Sequence, residues 1–288
     1  MSEISAISDR IKARALSGAL GAEVGGIDLT SLDEGAFSEL RALLHRYAVL
    51  CIRDQKLSRE EQLAFARRFG TPDVHPIANG LSDHPEIICV RKPAGEAAFF
   101  GTSWHTDNSF FETPSALTIL YGESVPAHGG DTVFASMERA LETLSAPVRA
   151  LLEPLRAVHS AGRAYDPRTT GDAKYRGEAA ITYTYSDSIY DEVEHPIVRT
   201  HPETGRQSLY VNPMFTERIV GLEEHESEAL LAMLHHHATR PEFTCRVRWQ
   251  PGTVTIWDNR CVQHYAIDDY REAERVMYRV TIQGERPR

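Results

Sequence analysis

The chain has 288 residues, of which 42% are hydrophobic and 25% charged, and its formal net charge is −10 at pH 7. This composition is typical of a globular protein with a substantial core. The negative charge argues against binding to nucleic acid or to an anionic membrane, because both require a positive field. The four cysteines form no CxxC pair, the N-terminus has no long apolar run, and no segment has the roughly 18 apolar residues of a membrane helix. We therefore expect a cytoplasmic protein whose partner is a small molecule.

The first third of the chain combines short strands with two helices. Apolar residues recur at helical spacing over residues 32–47. A second helix is expected to begin at Ser58, because Ser58 and Glu61 have the spacing of a capping box, and to stop at Gly70. Short apolar runs predict strands in three segments, which are 12–31, 47–54 and 86–92.

Beyond Trp104 the pattern is mostly that of strands, with helices predicted at 136–155, broken near Pro147, and at 223–240. Segment 161–195 has weak periodicity, and a loop of this length is often an active-site lid. Strands are predicted in 208–212, 243–250, 253–259 and 274–284. No domain boundary is evident, so we expect one mainly β domain with flanking helices, a barrel or a sandwich, over residues 1–288.

A candidate metal site begins in the stretch "SWHTDNSF". In a strand, His105 and Asp107 would project from the same face, which suits a shared metal ion. His264 is the best candidate for a third ligand, because it follows the predicted strand 253–259 and a short turn and is expected to face inward at a strand end. Two histidines and one carboxylate are the ligand set of non-haem Fe(II) oxygenases. The weaker candidates are His159, His195 and His201, and the consecutive His235, His236 and His237 on a predicted helix.

Two arginines on the last predicted strand indicate anion binding. Arg275 and Arg279 share one face with Met277 and Thr281, roughly 13 Å apart at about 3.3 Å per residue, and the other face is apolar. An exposed strand with solvated arginines is the alternative. If the arginines face the same cavity as His264, each needs an anion, and the guanidinium fork matches a carboxylate or a sulfonate. Thr132, which enters a strand after the Gly-Gly turn of "HGGDT", can supplement an arginine in holding a carboxylate.

Together these residues resemble the taurine dioxygenase/2,4-D dioxygenase family of Fe(II)- and 2-oxoglutarate-dependent oxygenases. The blocks "WHTD", "GGDT", "HPIVRTHPETGRQSLYVN", "TRPEFTCRVRWQPG" and "WDNRCVQHYAIDDY" occur in the order expected for that family. The resemblance implies a double-stranded β-helix, that is, a cupin-like jelly roll, with flanking helices. It also implies iron ligands at His105, Asp107 and His264, contacts with 2-oxoglutarate from Thr132, Arg275 and Trp249, and a contact between Arg279 and an anionic substrate.

The implied activity is hydroxylation of a small organic anion, using O2 and yielding succinate and CO2. Asp107 favours hydroxylation over halogenation, because related halogenases lack this carboxylate. His75 and Phe215 match family positions that line the substrate site. Ala78 and Gly101 replace larger or more polar residues of taurine enzymes, which points to alkyl sulfonates, alkyl sulfate esters or aryloxyalkanoates. Tyr165, Tyr183 and Tyr185 lie in the predicted lid, and family members are often homo-oligomers.

Two other functional classes remain open from the sequence. A metal-dependent hydrolase or isomerase on a cupin-like barrel would use the same three ligands, but it would leave Arg275, Arg279 and Thr132 without a function. A non-catalytic β-sandwich binding protein would have structural histidines and would bind no iron.

Overall fold

The computed structural model describes residues 11–95, 101–170 and 181–288. The N-terminal segment, for which the sequence predicts no signal peptide, and residues 171–180 of the predicted lid therefore lie outside the described residues. The helices are α1 (Glu34–Tyr47), α2 (Arg59–Arg67), α3 (Met137–Thr143), α4 (Ala146–Leu152), α5 (Gly162–Tyr165), α6 (Pro167–Thr170) and α7 (Glu224–Ala238), with 3-10 helices at Asp187–Tyr190 and Pro241–Phe243. None of the helices in this part of the chain combines the length and the apolar character needed to cross a membrane.

Strands make up most of the remaining regular structure. In chain order they are β1 (Lys12–Ala15), β2 (Ala22–Gly25), β3 (Val49–Ile52), β4 (Ile88–Lys92), β5 (Leu117–Ser124), β6 (Thr132–Ser136), β7 (Arg156–His159), β8 (Val193–Pro196), β9 (Val198–Thr200), β10 (Gln207–Leu209), β11 (Thr216–Ile219), β12 (Thr244–Val247), β13 (Thr253–Asp258), β14 (Val262–Ala266) and β15 (Arg275–Ile282). This arrangement confirms the mainly β class with flanking helices.

The largest sheet has the strand order β1-β2-β3-β13-β5-β15-β4, and its strands are antiparallel except for the parallel pair β2–β3. One face of this sheet packs against α1 and α2 through an apolar cluster. The other face packs against the three-stranded sheet β12-β6-β14, with Phe134, Trp257 and Met277 between the two sheets. Two further small sheets, β11-β7-β8 and β10-β9, complete the strand pairing of the described residues.

Strand β15 is buried on both faces, which excludes the exposed alternative for its arginines. Val280 and Ile282 pack into the cluster beneath the helices, and Tyr278 is covered by the Arg59 guanidinium, 3.3 Å from the ring centroid. Arg275 and Arg279 are each 6% exposed and point into the space between the sheets. This space therefore receives two positive charges that require anions.

Local sequence signals explain the helix ends. The Ser58 hydroxyl accepts a hydrogen bond from the backbone N–H of Glu61, and the Glu61 carboxylate accepts one from the backbone of Ser58, which confirms the capping box. This helix ends at Arg67, three residues before Gly70. The break in the predicted helix 136–155 falls at 144–145, before Pro147, because proline is favoured in the first turn of the helix that follows.

Two expectations about local structure are corrected. His264 is the third residue of β14, a strand that the sequence did not predict, and it does not lie at a strand end. The stretch around His105 is not a regular strand, because His105 forms an isolated bridge with His264 and a turn begins at Asp107. Asn108 has a positive φ of 57°, a conformation that asparagine tolerates better than most residues, and this allows the sharp turn.

Candidate metal and cosubstrate site

The structure brings His105, Asp107 and His264 together. Their candidate ligand atoms all lie within 4.8 Å of one another, and all three side chains are buried. Oδ1 of Asp107 is 3.7 Å from Nε2 of His105 and 3.9 Å from Nε2 of His264. The two backbone hydrogen bonds of the bridge between His105 and His264 hold the turn against β14. Three ligands from two chain segments thus converge, as the sequence predicts.

The hydrogen bonds of His105 fit a metal ligand. Its Nδ1 lies 2.7 Å from the carbonyl oxygen of Ser103, and since a carbonyl only accepts, Nδ1 carries the proton. Nε2 is therefore a lone-pair acceptor, and it is buried without a hydrogen-bond partner among the described residues. A buried acceptor without a donor is costly, and a metal ion at this position removes the cost.

The charge states of the three side chains also suit a divalent metal. Burial would raise the pKa of Asp107, but Arg279 and the two histidines, with the Thr118 hydroxyl, lower it to about 2. Burial, together with the neighbouring His105, lowers the pKa of His264 to about 3, and burial likewise lowers the pKa of His105. At neutral pH the site therefore offers one carboxylate and two neutral imidazoles, the forms that bind metal.

A second buried feature lies beside the triad, at Arg275. Its Nε and Nη2 atoms, which form one edge of the guanidinium, are buried and have no partner among the described residues. Burial lowers the pKa of Arg275, and the neighbouring Tyr270 and Asp131 only partly oppose this effect. The Arg275 guanidinium lies 5.6 Å from the ring centroid of Trp249, and the Trp249 indole donates to the Thr132 hydroxyl at 3.0 Å. The three residues predicted to hold 2-oxoglutarate are thus adjacent, with a fork open for a carboxylate.

Arg279 contacts the triad directly, because its Nη1 is 3.3 Å from Oδ1 of Asp107. The ring of Phe215 packs edge-on to His105, with 6.2 Å between the centroids. Apolar side chains continue outward from Phe215 in one buried cluster, which contains Ile77, Ala78, Ile88, Phe110, Ala161, Tyr165, Ile181, Tyr183 and Ile189. The candidate metal site is therefore flanked by a guanidinium and by an apolar wall that is partly aromatic.

Part of this wall comes from the predicted lid. Backbone hydrogen bonds join Asn79 N–H to the carbonyl of Thr182 and Thr184 N–H to the carbonyl of Ile77. Tyr165 and Tyr183 are buried, whereas Tyr185 is 47% exposed and does not face the site. In the described residues the segment thus covers the loop that carries His75, and its movement as a lid stays a prediction.

His75 is buried beside the site, but its two nitrogens already have protein partners. Nδ1 accepts hydrogen bonds from the backbone N–H groups of Ile77 and Ala78, so Nε2 carries the proton and donates to Oδ1 of Asn108 at 3.1 Å. Burial is the main cause that lowers the pKa of His75 to about 4, which keeps it neutral. A direct bond from His75 to a substrate would have to replace one of these contacts, so this role stays a prediction.

Gly101 and Ala78 are the two positions at which the sequence departs from taurine enzymes. Gly101 has a φ of +76°, and a Cβ there would lie 3.3 Å from Cε1 of His105. A side chain at this position would therefore press on a metal ligand, so Gly101 leaves space there. Ala78 is buried and forms a β-bridge with Tyr183 of the predicted lid.

None of the weaker histidine candidates joins the triad within the described ranges. His159 and His195 lie against each other, with 5.2 Å between ring centroids, and His201 donates to Asp258. His235, His236 and His237 belong to α7. His236 is exposed and the other two are partly buried, as expected for a partly solvated helix face.

Sequence reasoning missed two residues that contact the site indirectly. The Thr118 hydroxyl donates to Oδ2 of Asp107 at 2.7 Å, and the Asn259 side chain donates to the Thr118 hydroxyl at 2.8 Å. The available signal was the single hydroxyl of Thr118 within the otherwise apolar run 116–120.

Comparison with known proteins agrees with this geometry. The profile of the "Taurine catabolism dioxygenase TauD, TfdA family" matches residues 12–281. The chain belongs to this family. It is therefore a 2-oxoglutarate-dependent dioxygenase that uses Fe(II) and O2.

Several similar curated relatives of this TauD/TfdA chain are named for the substrates on which they act. An alkylsulfatase of Acinetobacter baylyi is 38% identical, over 96% of this chain and 86% of the relative. An alpha-ketoglutarate-dependent sulfate ester dioxygenase of Pseudomonas putida is 37% identical, over 94% and 89%. Relatives named as a sulfonate dioxygenase and as an (S)-phenoxypropionate dioxygenase are 34% and 32% identical.

Solved structures give the same family fold. A taurine dioxygenase from Burkholderia xenovorans superposes with a TM-score of 0.81 at 38% identity, covering 96% of this chain and 92% of the other. AAD-2, solved in complex with Mn(II) and N-oxalylglycine, superposes with a TM-score of 0.76 at 30% identity, covering 96% and 98%.

Proposed function

We propose that this dioxygenase hydroxylates a small amphiphilic anion, and that an alkyl sulfate ester is its preferred substrate. The observation that carries the proposal is the position of Arg279, a buried cation that contacts Asp107 of the metal triad, while His105 of the same triad packs against Phe215 and its apolar cluster. An anionic head group suits the guanidinium and an alkyl chain suits the wall. The names of the two most similar relatives cited above favour the sulfate ester over the sulfonate and the aryloxyalkanoate.

The site residues have distinct proposed roles. His105, Asp107 and His264 hold Fe(II), which, with O2 and 2-oxoglutarate, supplies the oxidation that replaces a C–H bond by C–OH and releases succinate and CO2. Arg275 and Thr132 hold the distal carboxylate of 2-oxoglutarate, and Trp249, whose indole donates to Thr132, lines the cosubstrate pocket. Arg279 fixes the head group of the substrate, and Phe215 with its neighbours excludes water from the reacting carbon.

The product that can be measured depends on the class of substrate. Hydroxylation of the carbon next to the ester oxygen of R–CH2–OSO3⁻ gives an unstable hemiacetal-type product that collapses to the aldehyde R–CHO and sulfate. The same step next to an aryl ether oxygen cleaves the ether. A metal hydrolase, the alternative function, would give the alcohol R–CH2OH and consume no 2-oxoglutarate, and it would leave the open fork of Arg275 unexplained.

We further infer a single cupin-like jelly-roll domain over residues 1–288 that acts in the cytoplasm, with homo-oligomers as in many family members. The packing of the seven-stranded sheet against β12-β6-β14 supports the jelly roll. The segment 161–195 is proposed as the lid of this domain.

The test compares three six-carbon compounds that differ in head group with an aryloxyalkanoate. Hexyl sulfate, hexanesulfonate, 2-phenoxypropionate and uncharged hexanol are incubated with enzyme, Fe(II), 2-oxoglutarate and O2, and succinate and organic products are measured. We expect stoichiometric hexanal and succinate from hexyl sulfate, and none from hexanol. Formation of hexanol from hexyl sulfate without succinate would instead support the hydrolase.

Two matched variants separate the arginine roles. Arg279→Lys keeps the charge but loses the fork, and we expect it to raise KM for hexyl sulfate roughly tenfold or more, the scale of one lost charge-assisted hydrogen bond. Arg275→Lys should instead raise KM for 2-oxoglutarate. Equal effects of both variants on both constants would contradict this assignment.

A further inference from the structure

A chain of buried hydrogen bonds connects the core of the protein to the carboxylate of the metal triad. The Trp257 indole N–H donates to Oδ1 of Asn259 at 3.0 Å, Nδ2 of Asn259 donates to the Thr118 hydroxyl at 2.8 Å, and that hydroxyl donates to Oδ2 of Asp107 at 2.7 Å. All four side chains are at most 3% exposed. No water competes for these bonds, so their geometry is fixed by the packing of β5 and β13.

The direction of each bond follows from donor chemistry. An indole N–H can only donate, so the Asn259 amide must turn its oxygen to Trp257 and its NH2 to Thr118. The backbone N–H of Asn259 is held by the carbonyl of Ala116, which prevents the residue from shifting. Because the Thr118 hydroxyl accepts from Asn259 and has a single proton, that proton is directed to Asp107.

The two oxygens of Asp107 therefore differ. Oδ2 accepts a short hydrogen bond from Thr118 at 2.7 Å, whereas Oδ1 has a longer one from Arg279 at 3.3 Å and faces Nε2 of both histidines at 3.7 and 3.9 Å. A carboxylate that is free to rotate can offer both oxygens to a metal, and a second bound oxygen would take one of the positions that a two-histidine, one-carboxylate site keeps open. A fixed donor on Oδ2 works against that arrangement.

We propose that Thr118, oriented by Asn259, is a positioning residue that restricts Asp107 to one metal-binding oxygen. This rests on the proposed ligand set of His105, Asp107 and His264. Hydrogen bonds to ligating side chains tune metal affinity by about 10–100-fold. Neither Thr118 nor Asn259 belongs to the residues that touch the metal, 2-oxoglutarate or the substrate.

The experiment compares three variants of the full chain. Thr118→Val keeps the shape but removes the donor, and Thr118→Ser keeps the donor. Thr255→Val is the matched control, because Thr255 is equally buried on β13 and no described hydrogen bond joins it to a metal ligand. The metal-free proteins are titrated anaerobically with Co(II), and the dissociation constant and the visible d–d spectrum are recorded, together with the thermal midpoint of each variant.

We expect Thr118→Val to bind Co(II) about 10–100-fold more weakly and to have a changed d–d spectrum, because Asp107 can then offer both oxygens to the metal. Thr118→Ser and Thr255→Val should match the wild type in both readouts, whatever their thermal midpoints. The inference is overturned if Thr118→Val has the wild-type dissociation constant and spectrum, or if Thr255→Val changes both as much.

The same titration separates this inference from the proposed site. If the wild type binds no Co(II), or if Asp107→Ala binds it as tightly as the wild type, the proposed ligand set fails and the inference fails with it. If the wild type binds, Asp107→Ala does not, and Thr118→Val is unchanged, the ligand set stands and only the role of Thr118 is rejected.

Discussion

Two buried clusters in this protein pair histidine with aspartate, and they have opposite hydrogen-bonding states. One is the metal triad around Asp107, and the other, which we call the Asp258 cluster, consists of His201, Asp258 and Arg260. The side chains of the Asp258 cluster are at most 4% exposed, so burial alone does not distinguish the two. The comparison shows which local property separates a metal site from a structural ion pair.

Every acceptor in the Asp258 cluster has a donor. Oδ1 of Asp258 accepts from the backbone N–H and Nε of Arg260, and Oδ2 accepts from Nη2 of Arg260 and Nε2 of His201. Nδ1 of His201 accepts from two backbone N–H groups of the turn that follows it. No lone pair of these groups remains for a metal ion, so this cluster serves to hold the turn after β9 against the turn after β13.

In the metal triad, by contrast, not every buried acceptor has a close hydrogen-bond donor. Nε2 of His105 has no donor in the described structure, and the partner of Oδ1 of Asp107 is an arginine at 3.3 Å, longer than the bonds of the Asp258 cluster. An acceptor without a donor on His105, beside a carboxylate oxygen with only a long hydrogen bond, therefore marks the site that suits a cation.

Replacing each aspartate in turn and measuring metal affinity tests the difference between the two clusters directly. Asp107→Ala should weaken Co(II) binding by more than about a hundredfold, because losing a ligand exceeds the 10–100-fold effect of losing a hydrogen-bond partner of a ligand. Asp258→Ala should leave the dissociation constant of the folded fraction unchanged. Comparable losses in both variants, measured by anaerobic titration, would show that the Asp258 cluster also supports metal binding.

Asp258→Ala, which should keep its metal affinity, should instead lower the stability of the fold. Asp258→Ala leaves the Arg260 guanidinium and the His201 N–H buried without their partner, and breaking a buried pair in this manner costs about 3–5 kcal/mol. We expect a loss of that size in the free energy of unfolding, measured by urea denaturation of the metal-free protein. A loss below about 1 kcal/mol, the level of a surface pair, would mean that the cluster is not structural.

Acid titration tests the charge of Asp258. Burial opposes its ionisation, but Arg260 and His201 outweigh burial and hold the pKa of Asp258 well below its usual range. A carboxyl group with a lowered folded-state pKa contributes stability above its unfolded pKa of about 3.9 and loses it as the pH falls toward the folded value. The difference in unfolding free energy between the wild type and Asp258→Asn should thus be constant above about pH 5 and shrink below pH 4. A difference independent of pH would contradict the assigned charge.

The sequence predicts the metal triad, but it does not show that His201 of the Asp258 cluster is engaged elsewhere. His105, Asp107, Thr132 and Arg275 lie in motifs whose order and spacing are informative at short range. His201 could be ranked only as a weaker ligand candidate, because its engagement depends on Asp258, which is 57 residues away in the chain. Local patterns do not encode such a pairing.

The same limit explains the other differences between prediction and structure. Thr118 and Asn259 are 141 residues apart, and they meet only because β13 pairs with β5. The strand β14 was missed because its five residues alternate little in polarity, and its place is set by pairing with β6. The proton position on His75 follows from two backbone N–H groups, whose directions the sequence does not reveal.

Glu203 lies at the solvent-exposed edge of the Asp258 cluster, and its substitution should have the smallest effect on stability. Glu203 accepts from Nη1 of Arg260 and from Nη2 of Arg41, each at 2.7 Å, but its side chain is 34% exposed. An ion pair open to solvent contributes only about 0.2–1 kcal/mol and is screened by salt. Glu203→Gln should therefore lower the free energy of unfolding by no more than about 1 kcal/mol, and less at high ionic strength. If this variant were as unstable as Asp258→Ala, the solvent-exposed glutamate and the buried aspartate would form one cooperative unit, and saturation of buried acceptors alone would no longer explain why this cluster is structural.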